Sequence, residues 1–212
     1  MSAIGVDGCR GGWVVAATTG VRVWRTFVEV LDERADVVGV DMPVGLPDAF
    51  ERAADRDARA FLRPRASSIF PTPPRSLLAY DTYDDANTAS KAAFGRGLTR
   101  QTFSLFEKLR EVDSAVRAGE KRVVEIHPEC SFRALTGRVL APKRTIEGLA
   151  QRVEALEPVF GPIDVRLRGA QRDDVVDAYA VLWSAVRYER GEHLTFGDGA
   201  RDAFGTVMRI VA

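Results

Sequence analysis

The chain opens on apolar runs of strand length. Ala3 to Asp7 is apolar until its last residue and ends in Gly8-Cys9-Arg10-Gly11-Gly12, a turn-rich stretch. Trp13 to Ala17 follows, Thr19-Gly20 marks a second turn, and Val21 to Phe27 alternates with period two. Strands joined by such short connections form an antiparallel meander. After a short helix or loop around Glu29 to Ala35, Val37 to Asp41 is a continuous apolar run, the pattern of a strand covered on both faces.

From Pro43 to Lys121 the pattern changes. Asp48-Ala49-Phe50-Glu51 has the spacing of a capping box and predicts a helix reaching Leu62. Pro64 to Arg75, with four prolines and two serines, predicts loop. Thr99 to Ala118 carries Phe103, Phe106, Leu109, Val112 and Val116 at helical spacing, with Gly119 past its end. The section about 43–121 therefore reads as a helical insertion over one end of the sheet, within a single domain spanning 1–212. Arg122 to His127 predicts a strand closed by Pro128. Thr145 to Leu156 predicts a helix stopping before Pro158, Asp173 to Glu189 a longer one, and Thr206 to Val211 a final edge strand. A meander, a further strand, an insertion, a strand and then helices make an α/β fold on a mixed sheet, since the first three strands lack crossover helices.

Composition narrows the function. Thirty basic residues balance thirty acidic ones, so no net charge draws the chain toward nucleic acid, and a nucleic-acid partner needs a local basic patch. Two cysteines are too few for a disulfide framework, and no secretory signal or membrane-length apolar run is visible; a cytoplasmic location is the expectation.

The carboxylates are the chemical anomaly, because acids are depleted in strands and rarely buried without a counter-charge. Asp7 ends the first strand, Asp41 ends the fourth, and Glu125 lies in the fifth. Asp177 sits in Val175 to Trp183, a helix apolar on nearly every side, and Asp174 shares its face. Crowded carboxylates repel unless a cation neutralises them, and hard oxygen donors suit Mg²⁺ or Mn²⁺ rather than zinc. Two such ions suit phosphodiester hydrolysis. Competing readings exist for each residue: Asp173 or Asp174 as a helix cap, Asp41 as a turn former before Met42-Pro43, Glu125 as the partner of an arginine.

Ile4-Gly5-Val6-Asp7 before a glycine-rich hairpin, with Asp174-Val175-Val176-Asp177-Ala178 on a late helix, resembles the ribonuclease H-like superfamily, in particular its Holliday-junction resolvase type. Val40 to Pro47, Ser67 to Arg75 and Glu125 to Glu129 extend the likeness over nearly the whole chain to a narrower group, the predicted-nuclease family known as domain of unknown function 429. The resemblance implies a ribonuclease H-like five-stranded mixed sheet in the order 3-2-1-4-5 flanked by helices. It also implies that Asp7, Asp41, Asp174 and Asp177 are metal ligands and catalytic groups. Resolvases place Glu where this chain has Asp41, so Glu125 or Glu129 is expected to share or replace that role.

Arg52, Arg56, Arg59 and Arg63 recur at helical spacing, followed by Arg65 and Arg75 in the proline-rich loop. Guanidinium groups suit bidentate phosphate contacts, so Arg59, Arg63, Arg65 and Arg75 are candidate substrate-binding residues; pairing with Asp48 and Asp55 is the alternative for Arg52 and Arg56. Lys108 and Lys143 have the composition of phosphate contacts or of ordinary exposed lysines, and His127 that of a base or of a hydrogen-bonded structural residue. The expected activity is a metal-dependent nuclease acting on DNA or RNA. The alternatives are a non-catalytic module binding nucleic acid or protein, and an actin-like phosphotransferase, for which one copy of a domain this long is too short.

Overall fold

The computed structural model describes residues 2–212. Five strands, β1 (Ala3–Cys9), β2 (Gly12–Ala17), β3 (Gly20–Trp24), β4 (Val37–Val40) and β5 (Val123–Glu125), form one mixed sheet in the order 3-2-1-4-5. The hairpins β1–β2 and β2–β3 are antiparallel; β4 runs parallel to β1, pairing Val6 with Val40, and β5 parallel to β4, pairing Val40 with Glu125. The fold is thus α/β with helices on both faces, as the apolar pattern predicts. Val21 to Phe27 is shorter as a strand than its alternation suggests. Thr26 caps a helical turn, α1 (Phe27–Leu31), and Glu29 closes a reciprocal capping box that ends the strand.

Strand parity divides the interior. Ile4, Val6, Trp13, Val15, Val38 and Val40 point to one face, where they meet Phe27, Val30, Leu77, Phe106, Leu109 and Val112. Cys9, Val14 and Ala16 point to the other, against Leu156, Val175, Val176, Ala178 and Leu182. The second layer is built by α6 (Pro128–Thr136), α7 (Ile146–Phe160) and α8 (Arg172–Glu189). Two glycines let α8 lie directly on the sheet: a Cβ on Gly5 would be 2.1 Å from the Ala178 carbonyl oxygen, and one on Gly39 2.7 Å from Ile126 Cδ1. α7 continues to Phe160 with Pro158 inside it, beyond the stop the proline predicts.

The section 43–121 differs most from expectation. It comprises α2 (Ala53–Phe61), short 3₁₀ turns at Ala66–Ser68 and Arg75–Ala79, α3 (Tyr83–Phe94), α4 (Arg100–Ser104) and α5 (Phe106–Arg117). α5 supplies Phe106, Leu109 and Val112 to the core on one face of the sheet, so the section covers that face as well as the strand ends. The capping box at Asp48 does not form; α2 begins after Arg52, which is drawn inside. The helix expected from Thr99 to Ala118 breaks at Leu105. A small sheet, β6 (Thr195–Phe196) with β7 (Ile210–Val211), closes the chain, and only the end of the Thr206–Val211 segment is strand. Among the described residues no helix is long and apolar enough to cross a membrane.

Candidate functional site

Ligand sites in sheets with parallel strands form beyond the carboxyl ends of those strands, and three carboxylates meet there. Asp7 lies near the end of β1 and Asp41 just past β4, whose register is carried on by the Asp41 N–H donating to the Val6 carbonyl at 2.9 Å. Asp7 shares parity with Gly5, and Asp41 with Gly39, so both carboxylates project to the face on which α8 lies. Asp177 precedes Ala178, the residue seated on Gly5. Asp7, Asp41 and Asp177 line one cleft of about 630 Å³, closed by Arg65, Ser67, Ser68 and Phe70 on one side and by Pro142, Lys143 and Arg144 on another. A larger groove of about 870 Å³ lies between α1 and α5 against the opposite face of the sheet. Of its two carboxylates, Glu111 is already engaged by the Phe27 N–H and Trp13 Nε1, and Glu120 by the Arg122 guanidinium.

Asp7 and Asp177 are buried, Asp41 half-buried. Burial raises the Asp7 carboxyl well above the usual carboxylate range, and the neighbouring charges of Asp41 and Asp177 raise it further. Asp41, deep enough in the cleft to be largely desolvated, is raised to about 7, with Glu129 adding to the shift and Lys143 opposing it. Asp177 is raised to about 6 by burial and by Asp41 and Glu129, against the attraction of Lys143. One oxygen of Asp7 accepts from the Gly8 N–H at 2.9 Å. Asp177 Oδ2 accepts from Lys143 Nζ at 2.5 Å, while its Oδ1 is buried without a partner.

The cations of the cleft come from loops and from α5. Although desolvation works against its charge, Asp177, then Asp7 and Asp41, hold the Lys143 ammonium well above the ordinary lysine range. Lys108 reaches from α5 across Gly8, its ammonium donating to the Gly12 carbonyl at 2.5 Å and lying over the Trp13 ring. Arg65 and the exposed Arg144 stand on the rims. Glu129 lines the cleft but is clamped by Arg152, whose Nη2 donates to both carboxylate oxygens at 2.6 and 2.8 Å. His127 caps α6: its Nδ1 accepts from the Glu129 N–H at 3.2 Å, which leaves Nε2 as the donor to the Ser68 carbonyl at 3.3 Å. Burial lowers its pKa, and the ring is a neutral strut between α6 and the insertion. Among the described residues, no three His, Cys, Asp or Glu side chains form a ready-made metal site; Lys143 stands among the acids instead.

Several candidate residues are placed elsewhere. Glu125 pairs with Val40 in the sheet and therefore points to the face opposite Asp41. There it accepts from Arg52 Nη1 and Nη2, each at 2.7 Å, and from the Val44 N–H at 2.8 Å. Arg52 also donates to Asp55, so the first member of the supposed basic stripe is a buried strut. Asp174 closes the N-terminal capping box of α8, accepting from the Gln171 N–H at 2.8 Å, and does not line the cleft. Arg75 is engaged by Asp113 and Asp202 and stacks on Phe204. Arg59 is held by Glu51 and the Ile69 carbonyl, and Arg63 is exposed away from the cleft. Of the four candidate arginines only Arg65 faces it. Lys143 is the residue whose role the sequence conceals, since it lies in a turn and its partners are remote.

Compared with known proteins, no curated protein and no solved structure matches the chain. A family model does, over residues 5–201, which takes in β1, Asp7, Asp41, Lys143 and Asp177; its description is Protein of unknown function (DUF429). With nearly its whole length matched, the chain belongs to that family.

Proposed function

We propose that this protein is a metal-dependent nuclease of ribonuclease H-like type, hydrolysing phosphodiester bonds in DNA or RNA. One observation carries the reading. Three carboxylates from β1, β4 and α8 face a single cleft, and one buried oxygen among them, Asp177 Oδ1, has no partner. The strand order matches the one that the resemblance implies, but a fold hosts many functions, so the weight rests on the site.

The donor set fits Mg²⁺ or Mn²⁺. Asp7, Asp41 and Asp177 present hard oxygens only, the buried oxygen of Asp177 is unsatisfied, and desolvation together with neighbouring carboxylates, Glu129 among them, holds all three above their ordinary pKa, the state that a bound cation relieves. Such an ion supplies an activated water and stabilises charge on a phosphodiester oxygen. The chain's own residues do the rest. Asp7, Asp41 and Asp177 would hold the ion, while Arg65, Lys108 and Arg144 give the cleft a positive rim for a phosphodiester anion despite the neutral whole. His127, with one nitrogen on a backbone N–H and the other on a carbonyl, supports the floor and takes no part in proton transfer. The test is cleavage of branched, single-stranded and duplex oligonucleotides in Mg²⁺ or Mn²⁺, beside Asp7→Asn and Asp177→Asn. Cleavage is expected from the wild type and a loss of at least a hundredfold from either variant; equal rates reject the site.

A further inference from the structure

The negative charge of the cleft is met from inside the chain. Lys143 Nζ lies 2.5 Å from Asp177 Oδ2, and the ammonium also feels Asp7 and Asp41. The turn that carries it, between α6 and α7, is fixed at its base. The Gln151 side-chain carbonyl accepts from the Ala141 N–H at 2.8 Å, Arg152 donates to the Ala141 carbonyl at 2.8 Å, and the Thr145 hydroxyl donates to the Pro142 carbonyl at 2.8 Å. Gly148 packs so closely beneath that a Cβ there would lie 2.0 Å from the Pro142 oxygen. The backbone is pinned, but the four-carbon side chain keeps 38 % of its surface exposed and has solvent to swing into.

We propose that Lys143 is a resident counterion that a divalent cation displaces from Asp177, so that this one side chain sets the metal affinity of the site. The inference rests on the metal-binding reading given above. An ammonium is a compact single charge that here satisfies one oxygen of Asp177 and leaves the other unpartnered. A divalent ion brings twice the charge to the same acids, and two cations cannot share so small a space without strong repulsion. Displacement breaks only the Lys143–Asp177 ion pair and returns the ammonium to water. Arg152, which clamps the cleft's Glu129 from behind, cannot be displaced in this way, because its side chain is only 1 % exposed.

The test is Mn²⁺ titration of the metal-free full-length protein, read as the free-ion electron paramagnetic resonance signal, for wild type, Lys143→Met, Lys143→Gln, Lys143→Arg and Asp177→Asn. Removing the ammonium should tighten Mn²⁺ binding at least tenfold in both Lys143→Met and Lys143→Gln, so a folding defect in one variant does not decide the matter. Lys143→Arg, which keeps a cation, should stay within about threefold of wild type, and Asp177→Asn should lose the site. Mn²⁺ binding that needs Asp177 but is no tighter without Lys143 overturns the counterion and leaves the carboxylate site standing. Binding by none of the proteins, or binding indifferent to Asp177→Asn, overturns both.

Discussion

Gly5 is where the fold and the site are the same question. A methyl added there would lie 2.1 Å from the Ala178 carbonyl oxygen, 2.2 Å from the Leu182 nitrogen and 2.7 Å from Leu182 Cα, all of them backbone of α8. Ordinary contact begins near 3.4 Å, so α8 must retreat from β1 by about 1 Å or more, and no side-chain rotation relieves the clash. The helix buries Val175, Val176, Val181 and Leu182 beneath it, side chains each worth about 1.5–3 kcal/mol when fully buried, and a gap of this size forfeits part of every one. Overpacking costs about 1–3 kcal/mol by itself. Gly5→Ala should therefore cost about 3 kcal/mol or more. Gly39→Ala supplies the milder comparison, because its nearest contact is the flexible end of a side chain, Ile126 Cδ1 at 2.7 Å, while Ala185 Cβ and Val181 Cγ1, which move only with α8, lie at 3.0 Å; a smaller cost of about 1–2 kcal/mol is expected. Urea unfolding followed by circular dichroism measures both. Under conditions where Gly5→Ala remains folded, its Mn²⁺ affinity should also fall, since Asp7 and Asp177 are set against each other by this contact. Equal costs for the two variants, or a Gly5→Ala protein within about 1 kcal/mol of wild type, refute the reasoning.

Other consequences follow from the ion pairs. Glu125→Gln leaves Arg52 paired with Asp55 alone and replaces two charge-assisted hydrogen bonds by weaker ones, a loss of about 1–3 kcal/mol; denaturation should register this while Mn²⁺ affinity of the folded protein stays unchanged. Arg152→Met strands Glu129, and a melting temperature equal to that of wild type would show the clamp to be dispensable. Asp41 and Asp177 have folded-state pKa values raised from 3.8 to about 7 and about 6, so the native protein holds protons that the unfolded chain has released. The stability they contribute is complete below about pH 4 and is lost as pH rises through about 6 to 7. In metal-free protein, the fall in unfolding free energy between about pH 5 and pH 8 should shrink in Asp41→Asn; an identical slope in both proteins contradicts the assignment.

Much of the architecture is visible in the one-dimensional pattern because it is driven by burial with a fixed period. The meander, the two-sided strand Val37–Val40 and the length of α8 all follow from apolar spacing. What escapes the pattern are elements held by other forces. α3 buries only Ala86 and Ser90, so it has almost no apolar stripe, although the Thr82 cap and the left-handed Gly95 mark its ends. α6 begins on Pro128 directly after a strand, and the proline that reads as a strand stop is also a good first helical residue. The start of α2 is set by Arg52 turning inward to Glu125, a partner 73 residues away, and no local spacing encodes that.

Within the site, the legible signal was an acid in apolar surroundings, and it selected Asp7, Asp41, Asp177 and Glu125 alike. The structure separates them by strand parity and by the kind of cation each meets. Glu125 lies on the opposite face from Asp41, against a guanidinium that binds both its oxygens and exposes 1 % of its side chain. Glu129 is closed in the same way by Arg152. In both a buried guanidinium covers both carboxylate oxygens, Arg52 with two nitrogens and Arg152 with one, and a passing ion could enter only by displacing a buried arginine. Asp177 meets instead a single flexible ammonium, one oxygen to one nitrogen, at a side chain with access to water. An acid held by arginine is committed to the fold, whereas an acid held by lysine at a cleft retains exchangeable charge. That difference, which depends on what arrives through space from residues 52, 143 and 152, is why Asp7, Asp41 and Asp177, and not Glu125 or Glu129, are the set we propose as metal ligands.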